Sequence, residues 1–246
     1  MKQNFQSRAA DAAALTATSL TRSSSAVPVV VCLVCVAALL AACGGGGGDA
    51  GTAASTLEFP VASTVSAFAT TPHQFNLAGS VSGKDTTVSY RQTPGALSSF
   101  EGKPASTAVQ SVAVRVNGTL ASETTETLYF AANPFVAYGS IDQADGRYSV
   151  TDQSTRFPAT AKVGQSGVIG STIDYVDAQK TQGTGTETLT WSLEADTAST
   201  ALLCLNTMLS GTPPFTGSQC YRIDANGVLS GLGLKVTVDG KTFILN

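Results

Sequence analysis

Val109-Gln110-Ser111-Val112-Ala113-Val114-Arg115-Val116 runs into Asn117-Gly118, and Thr124 to Ala131 returns from it. The first run alternates. Val112, Val114 and Val116 share one side, and Ser111, Ala113 and Arg115 share the other. Successive strand side chains point to opposite faces, so this run has one apolar face and one polar face. Asn-Gly supplies the two positive-φ residues of a tight hairpin turn. In the return, Leu128 and Phe130 alternate with Thr127 and Tyr129. The stretch predicts an antiparallel hairpin that buries one face.

The pattern continues on both sides. Before it, Phe75, Leu77 and Val81 lead into a Gly83-Lys84-Asp85 turn, and Thr86 to Gln92 follows. Thr93 to Ala105, with Pro94, Gly95, Gly102 and Pro104, reads as a loop. After it, Val136 to Ile141 and Arg147 to Thr151 flank Asp145-Gly146, and Phe157 to Gly167 reads as a second loop. Val168 to Val176, Thr186 to Ala195 and Ala198 to Thr207 follow as strands. Gln219 to Ile223, Leu232 to Val238 and Lys241 to Leu245 complete the series, with turns at Asn226-Gly227 and Asp239-Gly240. The expectation is an all-β, mainly antiparallel fold, a curved meander or half-closed barrel of about 12 strands.

One short N-terminal helix is expected over Val61 to Thr70. Pro60 stands at its start, Pro72 ends it, and Val61, Val65 and Phe68 share a face at i, i+4 and i+7. Two short echoes suggest an edited internal duplication. Thr125-Glu126-Thr127-Leu128 matches Thr186-Glu187-Thr188-Leu189, and Ile141-Asp142 with Asp145-Gly146 resembles Ile223-Asp224 with Asn226-Gly227.

The N-terminal region has a different character. Lys2, Arg8 and Arg22 carry positive charge against Asp11 alone. Val27 to Leu40 is an apolar block of 14 residues, and small residues then precede Cys43. A membrane-crossing helix needs about 20 apolar residues, so the block suits the core of a secretory signal better. Leu40-Ala41-Ala42-Cys43 resembles the lipobox of bacterial lipoproteins. That resemblance implies a diacylglycerol on the Cys43 thiol, cleavage just before it, and acylation of the new amino group. The alternative is an ordinary signal or uncleaved anchor in which Cys43 is incidental. Several acyl chains hold a protein firmly where one holds it marginally. The expected organisation is therefore a signal over 1–42, a lipidated Cys43 with a Gly-rich tether over 43–56, and a single β domain over 57–246. Gly44, rather than Asp, follows Cys43. Under the family's sorting rule this points to the outer membrane, facing the periplasm.

Taking Lys2, Arg8, Arg22 and Asp11 from the totals of 14 basic and 17 acidic residues leaves 11 against 16, a net charge of −5 over Cys43 to Asn246. No basic run exists, which argues against nucleic-acid binding, since that rests on neutralising phosphates. Cys32 and Cys35 leave with the signal, and Cys43 takes the lipid. Cys204 and Cys220 remain as an even pair in an oxidising compartment. A turn centred on Thr212-Pro213-Pro214 would set them opposite each other on two strands, and a disulfide between them is expected.

Signals of chemistry are sparse. His73, beside Pro72, reads as a solvated loop residue. Gly164-Gln165-Ser166-Gly167 misses the nucleophile-elbow pattern because Val168 stands where its last Gly belongs. Asp142, Asp145 and Asp152 lie near one turn, and Asp174 and Asp177 near another; they read as turn-shaping surface acids. Trp191 shares a strand face with Leu189 and Leu193 and reads as core. No catalytic, cofactor-binding or metal-binding residue is assigned.

Beyond the lipobox, Gly164-x-Ser166-Gly167, Glu194 to Ala198 and Tyr221 to Asp224 make the domain similar to β-rich lipoproteins of proteobacteria, a resemblance that carries no activity. The expected function is non-enzymatic: a membrane-anchored protein binding a lipid, a peptide or an envelope partner on a curved sheet. A structural envelope protein without ligand, and a carbohydrate-active enzyme using a carboxylate pair, are the alternatives.

Overall fold

A computed structural model describes residues 55–209, 215–238 and 241–246. Cys43, the signal segment, most of the tether and the Thr212-Pro213-Pro214 and Asp239-Gly240 turns lie outside the described residues. Ser55 is already buried, so the packed body begins within the stretch expected as tether.

The opening hairpin forms as its pattern requires. Strand β4 (Lys103–Val116) pairs antiparallel with β5 (Thr119–Ala132). Asn117 and Gly118 join them with φ of 49° and 80°, the positive pair of a two-residue hairpin turn. Gln110, Val112 and Val114 are buried, while Arg115 is exposed.

The strands before it are β1 (His73–Val81), β2 (Lys84–Pro94) and β3 (Ser98–Phe100). Those after it are β6 (Phe135–Asp142), β7 (Tyr148–Asp152), β8 (Ser166–Tyr175), β9 (Gly183–Ala195), β10 (Thr200–Leu209), β11 (Phe215–Asp224), β12 (Leu229–Val238) and β13 (Lys241–Leu245). All neighbours pair antiparallel in the order β1-β2-β4 and then consecutively to β13, with β3 off the path on β4. The sheet curls until its ends meet. Ala78 of β1 and Asn246, just past β13, exchange two backbone hydrogen bonds of 3.0 and 3.4 Å. At this seam a Cβ on Gly79 would lie 2.7 Å from Leu245 Cδ2 and 3.0 Å from Ile244 O, so the bare position 79 eases the close approach of the two edges. The result is a nearly closed barrel, a meander whose edges are largely consumed by closure.

Two sequence expectations are corrected. The first turn is Ser82-Gly83, with Lys84 already in β2, because Ser82 and Gly83 carry the positive φ values (54° and 72°) that a two-residue turn requires. The expected loop 93–105 contains β3 and the start of β4. Glu101-Gly102 turns there with φ of 50° and 73°. Phe100 then stacks on Tyr129 and Tyr148, with centroids 4.6 and 4.9 Å away, and buries an aromatic cluster outside the barrel wall.

Helix α1 (Val61–Thr70) spans the residues that its spacing predicts. A helix this short is marginal alone and depends on packing. Val61 and Val65 are buried in the main core, and Phe68 packs against it. Ser66 Oγ donates to Ala132 O at 2.5 Å, Thr64 Oγ1 to Gly227 O at 3.3 Å, and Gln92 Nε2 to Phe68 O at 2.7 Å. These ties reach the β5–β6 connection, the β11–β12 turn and the end of β2, so α1 closes one mouth of the barrel.

Cys204 and Cys220 face each other across β10 and β11 and form a disulfide. They alternate with the core residues Leu203 and Tyr221, so the bridge sits on the outer side of the wall. Their separation is 16 residues. Replacing both with Ser is expected to cost about 3 kcal/mol by the chain-entropy relation. Urea unfolding of the double variant checks this; an unchanged midpoint would show that the staple adds nothing.

Candidate functional site

The inward faces of the strands do not fill the barrel. A cavity of about 250 Å³ lies between α1 and the far mouth. Its apolar wall includes Phe68 of α1, Leu128 and Phe130 of β5, Phe157, Ile169 of β8, Leu189 of β9, Leu205 of β10 and Leu234 of β12.

The polar part follows from register. Gln92, Gln110, Glu126 and Asp142 are direct cross-strand neighbours on β2, β4, β5 and β6. All four are buried. Tyr90 Oη lies 3.1 Å from Gln92 Oε1 and 3.0 Å from Gln110 Oε1, and Tyr221 Oη donates to Gln219 Oε1 at 2.8 Å. On the other wall, Asp174 of β8 accepts from Ser149 Oγ at 2.6 Å, and Glu187 of β9 is 4% exposed. Glu126, Asp174 and Glu187 all line the cavity. Asp142 and Asp174 sit at or next to the ends of their strands, at the turns opposite the α1 mouth, which puts the acids on the side away from the helix.

The acids are short of countercharge. Arg147 is the cation beside them, but its Nη2 reaches Asp142 Oδ2 at 3.3 Å and its Nε reaches Asp145 Oδ2 at 2.9 Å. No ion pair among the described residues reaches Glu126, Asp174 or Glu187. Glu187 Oε1 is buried and accepts no hydrogen bond. Burial disfavours an ionised carboxyl, and neighbouring acids add to the effect. Burial first, then the charges of Asp142 and Asp174, push Glu126 up to about 7, against the pull of the Ser140 hydroxyl and Arg147. Burial, then Asp174 and Glu126, push Glu187 up to about 8. Burial likewise raises Asp174. Among the described residues no three His, Cys, Asp or Glu side chains could together hold a metal ion.

The residues singled out from sequence fall out differently. Asp142 and Asp145 do shape their turn: Asp142 Oδ1 accepts from Ala144 N at 2.7 Å, and Asp145 Oδ1 from Arg147 N at 3.1 Å. Asp177 likewise accepts from Thr181 N and Oγ1. Asp142 is nevertheless buried rather than at the surface, because it stands beside the buried Glu126 in the cross-strand row. Asp174 was expected at the surface and is buried in the cavity wall instead, because it faces inward one residue before β8 ends. His73 is the first residue of β1 rather than a loop residue. Its half-buried ring stacks on Phe68 at 4.7 Å, and this burial lowers its pKa. Trp191 is core, packed beside Gly167 and Phe157.

Sequence reasoning misses Glu126 and Glu187 as site residues, although both stand in the Thr-Glu-Thr-Leu echo. Each Thr-Glu-Thr-Leu copy sends its Glu and Leu inward to the cavity and alternates them with Thr. An isolated Glu on the apolar face of a strand was the available signal. The second echo is shared turn chemistry, since Asp224 Oδ1 accepts from Asn226 N and Val228 N much as Asp142 does in its own turn. No protein-family model, curated protein or solved structure matches the chain.

Proposed function

We propose that this is a lipid-anchored protein of the bacterial envelope, held at the outer membrane through acylated Cys43, whose barrel binds a small ligand without transforming it. The lipobox resemblance supports the anchor. The cavity between α1 and the buried acids carries the ligand reading. It combines an apolar wall with a few convergent polar groups, the usual make-up of a small-molecule site. Its volume of about 250 Å³ falls just below the range of drug-sized pockets, about 300–1,000 Å³. This favours a small amphipathic molecule over a diacyl lipid or a folded peptide.

A second reading has one observation in its favour. Glu126 and Glu187 line the same cavity with carboxyls held near neutrality, which is the raw material of acid–base catalysis.

Native mass spectrometry of the protein extracted from its own membranes tests both halves. The expected result is a mass carrying acyl chains at Cys43 and a retained small molecule. Cys43→Ser is expected to leave the signal uncut and remove the acyl mass. If that variant is still trimmed before position 43 and still sediments with membranes, the anchor assignment fails. If the released molecule is turned over on incubation with the protein, and Glu126→Gln stops the turnover, the catalytic reading replaces the binding one.

A further inference from the structure

The cavity has an apolar wall and, on the side away from α1, the carboxyls of Glu126, Asp174 and Glu187, none of which forms an ion pair among the described residues. Arg147 is spent on Asp142 and Asp145. A buried carboxylate oxygen without a hydrogen bond loses its water and gains nothing in return. Glu187 Oε1 is such an atom, and its residue lines the cavity. A group that donates hydrogen bonds and carries positive charge would satisfy Glu187 and offset the clustered acids in one step. A bare metal ion is a poor fit, since no three His, Cys, Asp or Glu side chains among the described residues could hold one together. The apolar wall asks for carbon on the rest of the ligand.

Resting on the ligand-binding reading above, we propose that the occupant is a small organic cation, an amine on a compact apolar body, whose ammonium seats against Glu187 with Glu126 and Asp174 beside it. The body lies along Leu189, Leu205 and Phe157. Charge-assisted N–H···O bonds are the strong class of hydrogen bond, and the enclosed site screens them little.

The charged form of the site is pH-dependent. The charged groups that act on Glu187 are Asp174 on β8, Glu126 on β5 and Arg147 in the β6–β7 turn, and Asp142 at the end of β6 acts on Glu126 in turn. With Glu126 at about 7 and Glu187 at about 8, both carboxyls lose their protons as pH rises across that interval. Binding of a cation therefore strengthens with pH there and releases protons.

The test is calorimetric titration of the full-length protein, dialysed free of bound molecules, with three probes of equal carbon length: n-hexylammonium, 1-hexanol and hexanoate. At pH 8 the expected order is hexylammonium tightest, hexanol weaker by about tenfold or more, and hexanoate without measurable binding. Hexylammonium affinity is expected to rise from pH 6 to pH 8.5. Glu187→Gln keeps shape and hydrogen-bonding capacity but removes the charge. It is expected to weaken hexylammonium by about tenfold and leave hexanol within about twofold. The fold of the variant is checked by the same hexanol titration. Hexanol binding as tightly as hexylammonium, or a Glu187→Gln variant with an unchanged ratio of the two, overturns the cation assignment and leaves the ligand-binding reading standing. Binding of none of the three overturns both.

Discussion

Raising the pH from 5 to 8 is expected to lower the unfolding midpoint of the barrel by on the order of 10 °C, and Glu187→Gln is expected to recover about half of that loss. The sign follows from proton counts. Glu126 and Glu187 have folded pKa values raised from 4.5 to about 7 and about 8. Between 4.5 and those values the folded chain keeps protons that the unfolded chain has released. Stability therefore falls as pH rises through the window, by up to about 1.4 kcal/mol per pH unit for each carboxyl. Asp174, also raised, acts in the same direction. The full shifts would sum to more, but the acids repel one another and share relaxation, so several kcal/mol is the working magnitude. About 2–4 °C accompanies each kcal/mol in a domain of this size. Differential scanning fluorimetry at unit steps of pH measures the effect. Surface carboxylates held by cations, such as Asp196 with Arg222, have lowered pKa values and favour the opposite trend at more acidic pH. A flat or rising midpoint from pH 5 to 8 would mean that the cavity acids are solvated and would remove the electrostatic case built on them.

Gly139→Ala is expected to destabilise the barrel by about 4 kcal/mol, from backbone strain and overpacking together. Gly139 has φ of 149°, which an L side chain rarely adopts, and it sits at a register shift between β5 and β6. A Cβ there would lie 1.9 Å from Ser149 O and 2.8 Å from Phe100 Cζ. The carbonyl belongs to the β7 ladder, where Gly139 pairs with Val150, so it cannot retreat without breaking that ladder. The ring is fixed between Tyr129 and Tyr148. Ser149 also donates to Asp174, so a shift of β7 reaches the acid wall of the cavity. Urea denaturation compares the variant with the parent. Gly118→Ala, in an open turn with nothing within 4 Å of an added Cβ, is the control that isolates packing from φ alone. Equal losses for the two variants would show that the close approach at position 139 adds no cost.

Local physics made most of the architecture readable from sequence. The alternation of Val112 and Val114 with Ala113 and Arg115 sets the buried face of β4 whatever β4 pairs with, because side chains alternate along any strand. Asn117-Gly118 specifies its turn for the same reason, as a two-residue hairpin needs positive φ at both positions. Pro60 and the spacing of Val61, Val65 and Phe68 set the helix within single residues. Cys204 and Cys220 were placed opposite each other because hairpin register is a local count.

The cavity could not be read in this way. β5 and β9 are not neighbours in the sheet order, so Glu126 and Glu187 share one cavity only because the sheet curls until Ala78 meets Asn246. Closure depends on twist, bulges and the bare Gly79 seam summed over every strand, and no window of sequence contains that sum. The same sum decides that Asp174 points into the barrel rather than at water. It also decides that α1 stops one mouth, and that Arg147 beside the acids is already paired with Asp142 and Asp145.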